Sequence, residues 1–557
     1  MKMIIIGSVA AGTSVAAKAR RNTEKDEIVV YEKGQDISYS VCGIPYFIGR
    51  EVQSIETLTP RDAAWFQKRY NVAIHTEHQV LKINPKKQTI EVLNLKSGVL
   101  FEDHYDELVL AMGAKPIIPE IFAANSQAKN VFHVRNIQDA AGIDQFIHQK
   151  KPRKALIIGA GFIGMEMAEQ LKQRGMEVTV VQRGKQVMKH LDPDMAFRVQ
   201  KELEKQGIRV KLNTSVETVN YLDETPSISS IMDSNGDRYE ADIIILATGV
   251  TPNTDLLAGT GVSIGKTGAI SVNETMRTNI PGISAVGDVA ESYSLITGQP
   301  LYRPLGSTAN KMGRISGDAL TGGNLKHRGI LGTGIVRIFD MTVAYTGLTE
   351  KEARAAGFEI EVLYNIKPDK ADYLGGKEMT IKAIADKQTG RILGAQITGR
   401  NGVDKRIDVL ATAITFKATA ADLFHLDLAY APPFSTTKDP ILYTGMALDN
   451  AIHDNPLITP ETLVKRQESG EKLQIIDTRS KKQFETSAVK DAIHIPLAQL
   501  RGNANILDPN LPTIVYCNKG VTGNAAQNIL RNTGFKKVYN LSGGNKNYQL
   551  YLEMQEK

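Results

Sequence analysis

The sequence predicts an α/β chain with two copies of one strand–turn–helix–strand unit and a smaller C-terminal α/β segment. Three observations predict this. The small-residue turn Gly7–Gly12 recurs as Gly159–Gly164, 152 residues later (159 − 7). The stretch 107–116 (ELVLAMGAKP) returns as 243–252 (IIILATGVTP), each a buried-type strand running into a small-residue turn. Beyond residue 456, strands and helices alternate once more. At ~150 residues per domain, 557 residues suggest three or four domains. A hydrophobic share of 42% and a charged share of 23% exclude a disordered chain. The net charge, 67 − 61 = +6, is too weak to suggest a nucleic-acid partner but suits small phosphorylated molecules. No run of ~18 apolar residues occurs, so no membrane span is expected. The two cysteines, Cys42 and Cys517, are 475 residues apart (517 − 42) and offer neither a disulfide framework nor a cysteine metal site. With no signal-peptide pattern at the start, the expected location is cytoplasmic.

The first unit reads as a strand at 3–6, the turn Gly7-Ser8-Val9-Ala10-Ala11-Gly12, a helix at 13–21 and a strand at 27–32. Small turn residues let backbone amides approach a pyrophosphate at the helix N-terminus. Glu32, followed by Lys33, closes the second strand where a carboxylate accepts hydrogen bonds from a ribose. Val9 stands where the fingerprint has its middle glycine. The second unit is complete: a strand at 154–158, Gly159-Ala160-Gly161-Phe162-Ile163-Gly164, a helix, and a strand at 177–181. It ends in Gln182-Arg183, with Lys185 close by. No carboxylate stands there to repel a 2′-phosphate, so NADH and NADPH both remain open. Ala111, Gly113 and Gly249 belong to the repeated small-residue turns. The stretch 283–288 (ISAVGD) ends a strand in Gly-Asp and places Asp288 where the polyol of a flavin would lie.

These signals, in this order, resemble the two-dinucleotide flavoprotein disulfide reductases over about the first 450 residues. The resemblance implies FAD and NAD(P)H as cofactors. It implies two Rossmann-like domains, one nested in the other: FAD on 1–115 and 250–324, NAD(P)H on 116–249. It implies an α+β dimerisation domain at 325–447 and a homodimer.

Cys42 lies in Ser38-Tyr39-Ser40-Val41-Cys42-Gly43-Ile44-Pro45-Tyr46 and has no Cys-x-x-x-x-Cys partner. Single-cysteine members of the superfamily divide in two. NADH peroxidases and water-forming oxidases carry a histidine in the first glycine turn, where this chain has Ala10. The Cys42 segment instead resembles coenzyme A disulfide reductases, in which the cysteine forms a mixed disulfide with CoA; Val41 replaces their usual Asn. A flavin and a nearby helix terminus are expected to favour the thiolate. CoA phosphates need cations, and the resemblance points to Lys18, Arg20, Arg21, Lys68 and Arg69, with Ser38, Tyr39, Asn310 and Arg314 completing the CoA set. Tyr430 and Tyr373 match tyrosines that reach the thiol from the dimer partner, where a hydroxyl can protonate a leaving thiolate. Tyr373 departs from the family's Tyr-Tyr-Pro-Gly, since the chain reads Asp372-Tyr373-Leu374-Gly375.

In 458–557, a strand at 513–516 delivers Cys517 into the loop Asn518-Lys519-Gly520-Val521-Thr522-Gly523 ahead of a helix. Loop amides curled about a cysteine form an anion cradle. The segment resembles a rhodanese domain. Asp477 and Arg479 match that family's Asp-x-Arg, read as a brace. Thr522 stands where the family loop ends in an arginine, so thiosulfate transfer is disfavoured; persulfide carriage and a binding-only module both stay open. Lys519 is the candidate replacement cation. Jointly, the resemblances imply NAD(P)H-dependent reduction of CoA persulfide or related polysulfides through Cys42, with Cys517 carrying sulfane sulfur. CoA disulfide reduction is the runner-up; a peroxidase or oxidase and a CoA-binding redox sensor stand behind it. No metal is expected.

Overall fold

The computed structural model describes residues 1–222 and 226–557. The chain forms two compact units, Met1–Lys185 with Glu204–Gly332, and Gln186–Leu203 with Thr333–Lys557.

The first unit holds two parallel five-stranded sheets. One has the strand order Ile283–Ala285, Glu107–Leu110, Lys2–Ile6, Glu27–Tyr31, Ala73–His75. The other has Arg209–Lys211, Glu177–Val181, Lys154–Ile158, Ile243–Leu246, Val131–His133. Their inner strands are dominated by buried Ile, Val and Leu, as fits parallel strands packed on both faces. Each sheet also carries a three-stranded antiparallel sheet, formed by residues 78–104 in the first and by Val216–Tyr221, Ile228–Asp233 and Arg238–Glu240 in the second. The chain leaves the first fold through Ala114–Pro116 and returns through Val250–Pro252, and these two crossings pair antiparallel. One Rossmann-like fold is thus nested in the other.

The first helix, Ala11–Asn22, is alanine-rich and packs on Gly306–Leu320. A Cβ on Gly313 or Gly317 would come within 2.4 Å and 2.6 Å of the carbonyls of Ala11 and Val15, so only glycine permits this close crossing.

The second unit begins with an antiparallel sheet in the order Gly334–Ile338, Met341–Gly347, Ile392–Gly399, Glu378–Asp386, Ile360–Pro368. Helices Val403–Thr415 and Pro440–His453 pack against it. Residues 186–203, within the stretch expected for the nicotinamide fold, pack in this unit. Buried Lys382 holds them: its ammonium bonds Asp192 at 3.0 Å, Asp194 at 2.8 Å and Glu350 at 3.2 Å. Three carboxylates offset the cost of burying one cation. The last segment is a parallel sheet ordered Leu457–Ile458, Val538–Leu541, Thr513–Tyr516, Gln474–Asp477, Ala492–His494, covered by helices. Among the described residues no helix is long and apolar enough to cross a membrane, and no cluster of ligating side chains could hold a metal ion.

Candidate active site

The two glycine turns are built alike. Gly7 and Gly159 have φ +103° and +106°, a region that favours glycine. A Cβ on Gly7 would lie 2.4 Å from the carbonyl of Ala111, and one on Gly159 would lie 2.3 Å from that of Ala247. A Cβ on Gly12 would lie 1.9 Å from the carbonyl of Gly7, and one on Gly164 would lie 2.1 Å from that of Gly159. Gly161 caps the helix Phe162–Gln173 with nothing within 4 Å of its Cβ position. Both turns therefore offer open backbone at a helix N-terminus, which fits a pyrophosphate. Gly113 and Gly249 turn with φ +66° and +100°. Val9 and Ala10 complete the first turn, with Ala10 at the cap of its helix.

At the end of the second strand, Glu32 accepts from the Ser8 amide at 2.9 Å and from the Gly34 amide at 2.8 Å. Gln182 does the same on the second copy, its Oε1 accepting from the Ala160 amide at 3.1 Å. Lys33 and Arg183 are exposed beside them. Asp288 follows Gly287, which packs on Ala11 at the head of the first helix, so the Gly-Asp turn and the first glycine turn meet. These residues fit FAD on the first fold and a nicotinamide dinucleotide on the second.

Cys42 occupies a 3-10 turn, Val41–Gly43, that runs into the short helix Ile44–Ile48. That helix rests on Phe162–Gln173: Tyr46 donates to Glu166 at 3.2 Å, and Arg174 donates to the carbonyl of Ile48 at 2.8 Å. Cys42 thus sits where the two nucleotide folds meet. Its residue surface is open to solvent, yet protein crowds the sulfur. Burial pushes the thiol up, Glu166 and Asp288 add to this, and Arg135 opposes it. The following helix has only five residues, and with the protein alone burial, then Glu166 and Asp288, act against the thiolate that a helix terminus and a flavin were expected to favour. Arg135 itself pairs with Asp288 at 3.3 Å.

The expected CoA contacts divide. Arg20 is 5% exposed, and its guanidinium donates to the carbonyls of Tyr70, Thr23, Asp26 and Asn71. It is a buried structural strut with four of its five N–H donors on backbone carbonyls, which corrects the expectation of a phosphate contact. Lys18 pairs with Asp318 at 2.8 Å. Arg21 is exposed and donates to the Tyr70 hydroxyl at 3.0 Å, which brings it to the end of the helix Ala63–Tyr70 that carries exposed Lys68 and Arg69. Ser14 donates to Asn310 at 2.6 Å, so exposed Asn310 and Arg314 lie along the same helix pair. Ser38 adopts φ +49° and its amide donates to the Ser8 carbonyl, holding the Cys42 segment against the first glycine turn. Burial, with Glu32 next, pushes the Tyr39 hydroxyl up to about 12, so it stays a donor at neutral pH.

In the second unit, Cys517 is buried at the end of Thr513–Tyr516, and the Gly520 amide donates to its sulfur at 3.1 Å. Gly520 turns at φ +103° into the helix Val521–Asn532 that begins beside Thr522. Asp477 and Arg479, expected to brace the loop, form a buried pair at 2.6 Å, and the guanidinium lies 5.4 Å over the ring of Tyr516 on the strand that precedes it. Lys519 does not turn on the sulfur; it pairs with Glu378, as does Lys546. Tyr373 and Tyr430 are 77% and 49% exposed, so neither is a packed core aromatic.

A family model described as pyridine nucleotide-disulphide oxidoreductase matches residues 1–303. The chain belongs to the pyridine nucleotide-disulphide oxidoreductase family. The family's dimerisation domain matches residues 334–440, and a rhodanese-like domain matches residues 459–550. Among curated relatives, an NADH oxidase of Methanocaldococcus jannaschii is 39% identical over 457 residues, 81% of this chain and 99% of that one. Among solved structures, reduced Bacillus anthracis CoADR-RHD superposes with a TM-score of 0.95 at 36% identity, covering 99% of this chain and 98% of that one. An NAD-dependent persulfide reductase from A. fulgidus superposes with a TM-score of 0.89 at 35% identity, covering 98% and 100%.

For this oxidoreductase, sequence reasoning missed Glu166 and Arg135, the charges about Cys42, and Arg61, which lies 5.0 Å over the ring of 37%-exposed Trp65. Arg61 precedes the N-cap Asp62 of the helix Ala63–Tyr70, so no helical spacing in the sequence announces its contact with Trp65.

Proposed function

We propose that the chain is an NAD(P)H-dependent flavoenzyme that reduces CoA persulfide, and related polysulfides, to CoA and sulfide through Cys42. What carries this reading is the union, in one chain, of a CoA-type single-cysteine reductase with a rhodanese-like cysteine. The full-length likeness to a persulfide reductase supports it. FAD is held by the Gly7–Gly12 turn, Glu32 and Asp288, and the nicotinamide dinucleotide by Gly159, Gly161, Gly164 and Gln182. When bound, the flavin supplies two electrons drawn from NAD(P)H. The Cys42 thiolate attacks the inner sulfur of CoA–S–SH; the S–S bond breaks, hydrosulfide leaves, and a Cys42–S–S–CoA linkage remains. Two electrons and one proton then release CoA thiol and restore Cys42. Arg21, Lys68 and Arg69 face the CoA phosphates. Tyr430 and Tyr373 of a second subunit donate to the leaving thiolate, consistent with the matched dimerisation domain. Cys517 receives or delivers the outer sulfur. FAD occupies 1–115 and 250–324, the nicotinamide dinucleotide 116–249 apart from residues 186–203, which pack with the dimerisation domain 325–447, and the rhodanese domain spans 458–557. The cytoplasmic location rests on two unpaired cysteines.

The test is steady-state turnover of CoA persulfide and CoA disulfide by wild type, Cys42→Ser and Cys517→Ser. Cys42→Ser is expected to abolish both activities, and Cys517→Ser to lower persulfide turnover alone. Equal or better turnover of CoA disulfide by wild type defeats the persulfide preference; activity surviving Cys42→Ser defeats the mechanism. A second reading, NADH oxidation by dioxygen, is favoured by the Methanocaldococcus jannaschii relative. Ala10 in place of a histidine argues against it. Oxygen uptake matching persulfide turnover reverses that order.

A further inference from the structure

The rhodanese-like loop lacks its usual terminal cation, and its own lysine is already paired. The strand Ile360–Pro368 of the dimerisation sheet lies against the Ser542–Gly543 turn, which in turn packs beside this loop. Gly543 packs on Tyr364, the Ser542 hydroxyl accepts from the Tyr364 amide at 2.8 Å, and Gly544 packs on the backbone of Cys517 to Lys519. The end of that strand carries Lys367. Its half-buried ammonium sits 3.7 Å over the ring of Tyr443, and no carboxylate pairs with it among the described residues. Lys367 precedes Pro368, whose strand partner is Glu378, the carboxylate paired with Lys519 of the loop, and this places the ammonium within electrostatic range of Cys517, Lys519 and Lys438. Glu378, the carboxylate paired with this cluster among the described residues, is held by Lys519 and Lys546. Burial and the neighbouring Lys519 push the Lys367 ammonium down, while Cys517 acts in the opposite direction. An unpaired cation kept half out of water beside a buried sulfur is costly unless an anion joins it.

We propose that Lys367, from the dimerisation domain, completes the Cys517 site by supplying the cation that the loop lacks at Thr522. It holds the anionic sulfur of Cys517 and receives an anionic sulfur donor, a persulfide or polysulfide. The site is therefore composite, with the nucleophile on one domain and its counter-charge on the other. This inference rests on the reading of Cys517 as a sulfane-sulfur carrier. The transfer it serves is balanced without a redox cofactor. The Cys517 thiolate attacks the outer sulfur of R–S–SH, the S–S bond breaks, the proton passes to the leaving sulfur so that R–SH departs, and Cys517–S–S⁻ forms. Negative charge stays at the site throughout, so one fixed cation serves both states.

The experiment uses full-length flavin-loaded protein carrying Cys42→Ser, so that Cys517 is its only thiol. Alkylation by iodoacetamide, a neutral reagent, is followed against pH. Lys367→Met keeps the apolar stem and removes the charge. It is expected to slow alkylation at pH 7 by about tenfold and to move the profile to higher pH by about one unit. Lys367→Arg is expected to restore most of the rate. Lys367→Gln repeats the neutral case should the Met variant lose its fold. A profile that does not move in either neutral variant, with native circular dichroism, overturns the proposal; so does rescue failing with Arg. A shifted profile together with full persulfide turnover by Cys517→Ser leaves the composite site standing and removes the carrier reading, so the two failures are distinguishable.

Discussion

The two nucleotide folds share a cradle to within a few tenths of an ångström, yet differ in what closes it. In the first, Glu32 grips the turn with a full negative charge; in the second, neutral Gln182 makes the same bond, with Arg183 and Lys185 exposed nearby. A second difference is what surrounds the turn. The first meets Asp288 and the Cys42 segment; the second opens at Gly161 with no protein atom above its Cβ. One cradle is shaped for a resident cofactor and the other for one that comes and goes.

The largest effects should follow from closing either cradle. Gly12→Val forces a side chain into the Gly7 carbonyl, and the expected outcome is protein without flavin absorbance and without NAD(P)H oxidation. Gly164→Val makes the equivalent clash in the second fold. It should retain flavin while slowing its bleaching by NAD(P)H at least about a hundredfold in stopped-flow, the loss of roughly 2.8 kcal/mol of binding. Equal loss of flavin in both variants would break the division of roles. A middle-sized effect is expected from Gln182→Glu, which places a carboxylate where a 2′-phosphate lies. The ratio of kcat/KM for NADH over NADPH should rise about tenfold; a falling ratio reverses the assignment. The smallest effect concerns the seam between the folds. The Cys42 thiol is pushed up by burial and then by Glu166, so its thiolate appears only above the ordinary thiol range, and reactivity rises with pH. Removing one carboxylate should move that rise to lower pH by a fraction of a unit. Iodoacetamide profiles of Glu166→Gln against its parent, both carrying Cys517→Ser, check this; a move to higher pH contradicts the sign.

The cradles were legible in the sequence because glycine spacing is a local steric demand. Gly7, Gly12, Gly159, Gly161 and Gly164 need no partner from afar to be recognised. The charges that tune the two sulfurs were not. Glu166 meets Tyr46 across 120 residues, and Arg135 meets Asp288 across 153, contacts set by packing between separate folds. Arg20 shows the reverse failure. Its pattern on a basic helix reads as a phosphate contact, while four backbone carbonyls claim the guanidinium. Lys367 was silent in the sequence, since its neighbour Cys517 lies 150 residues on (517 − 367) and reaches it only through the docking of one sheet on another.

The outer strands of the two parallel sheets enter the chain in opposite order. The inserted fold receives its outermost strand, Val131–His133, before its core strands, and the host fold receives Ile283–Ala285 only after the insertion has passed. On a ribosome, the inserted fold can therefore close as soon as residue 246 has emerged. The host sheet must wait with Glu107–Leu110 as an uncovered edge until residue 285 arrives. That late strand also delivers Asp288, so the nascent chain completes its nicotinamide fold before it can complete the fold for flavin.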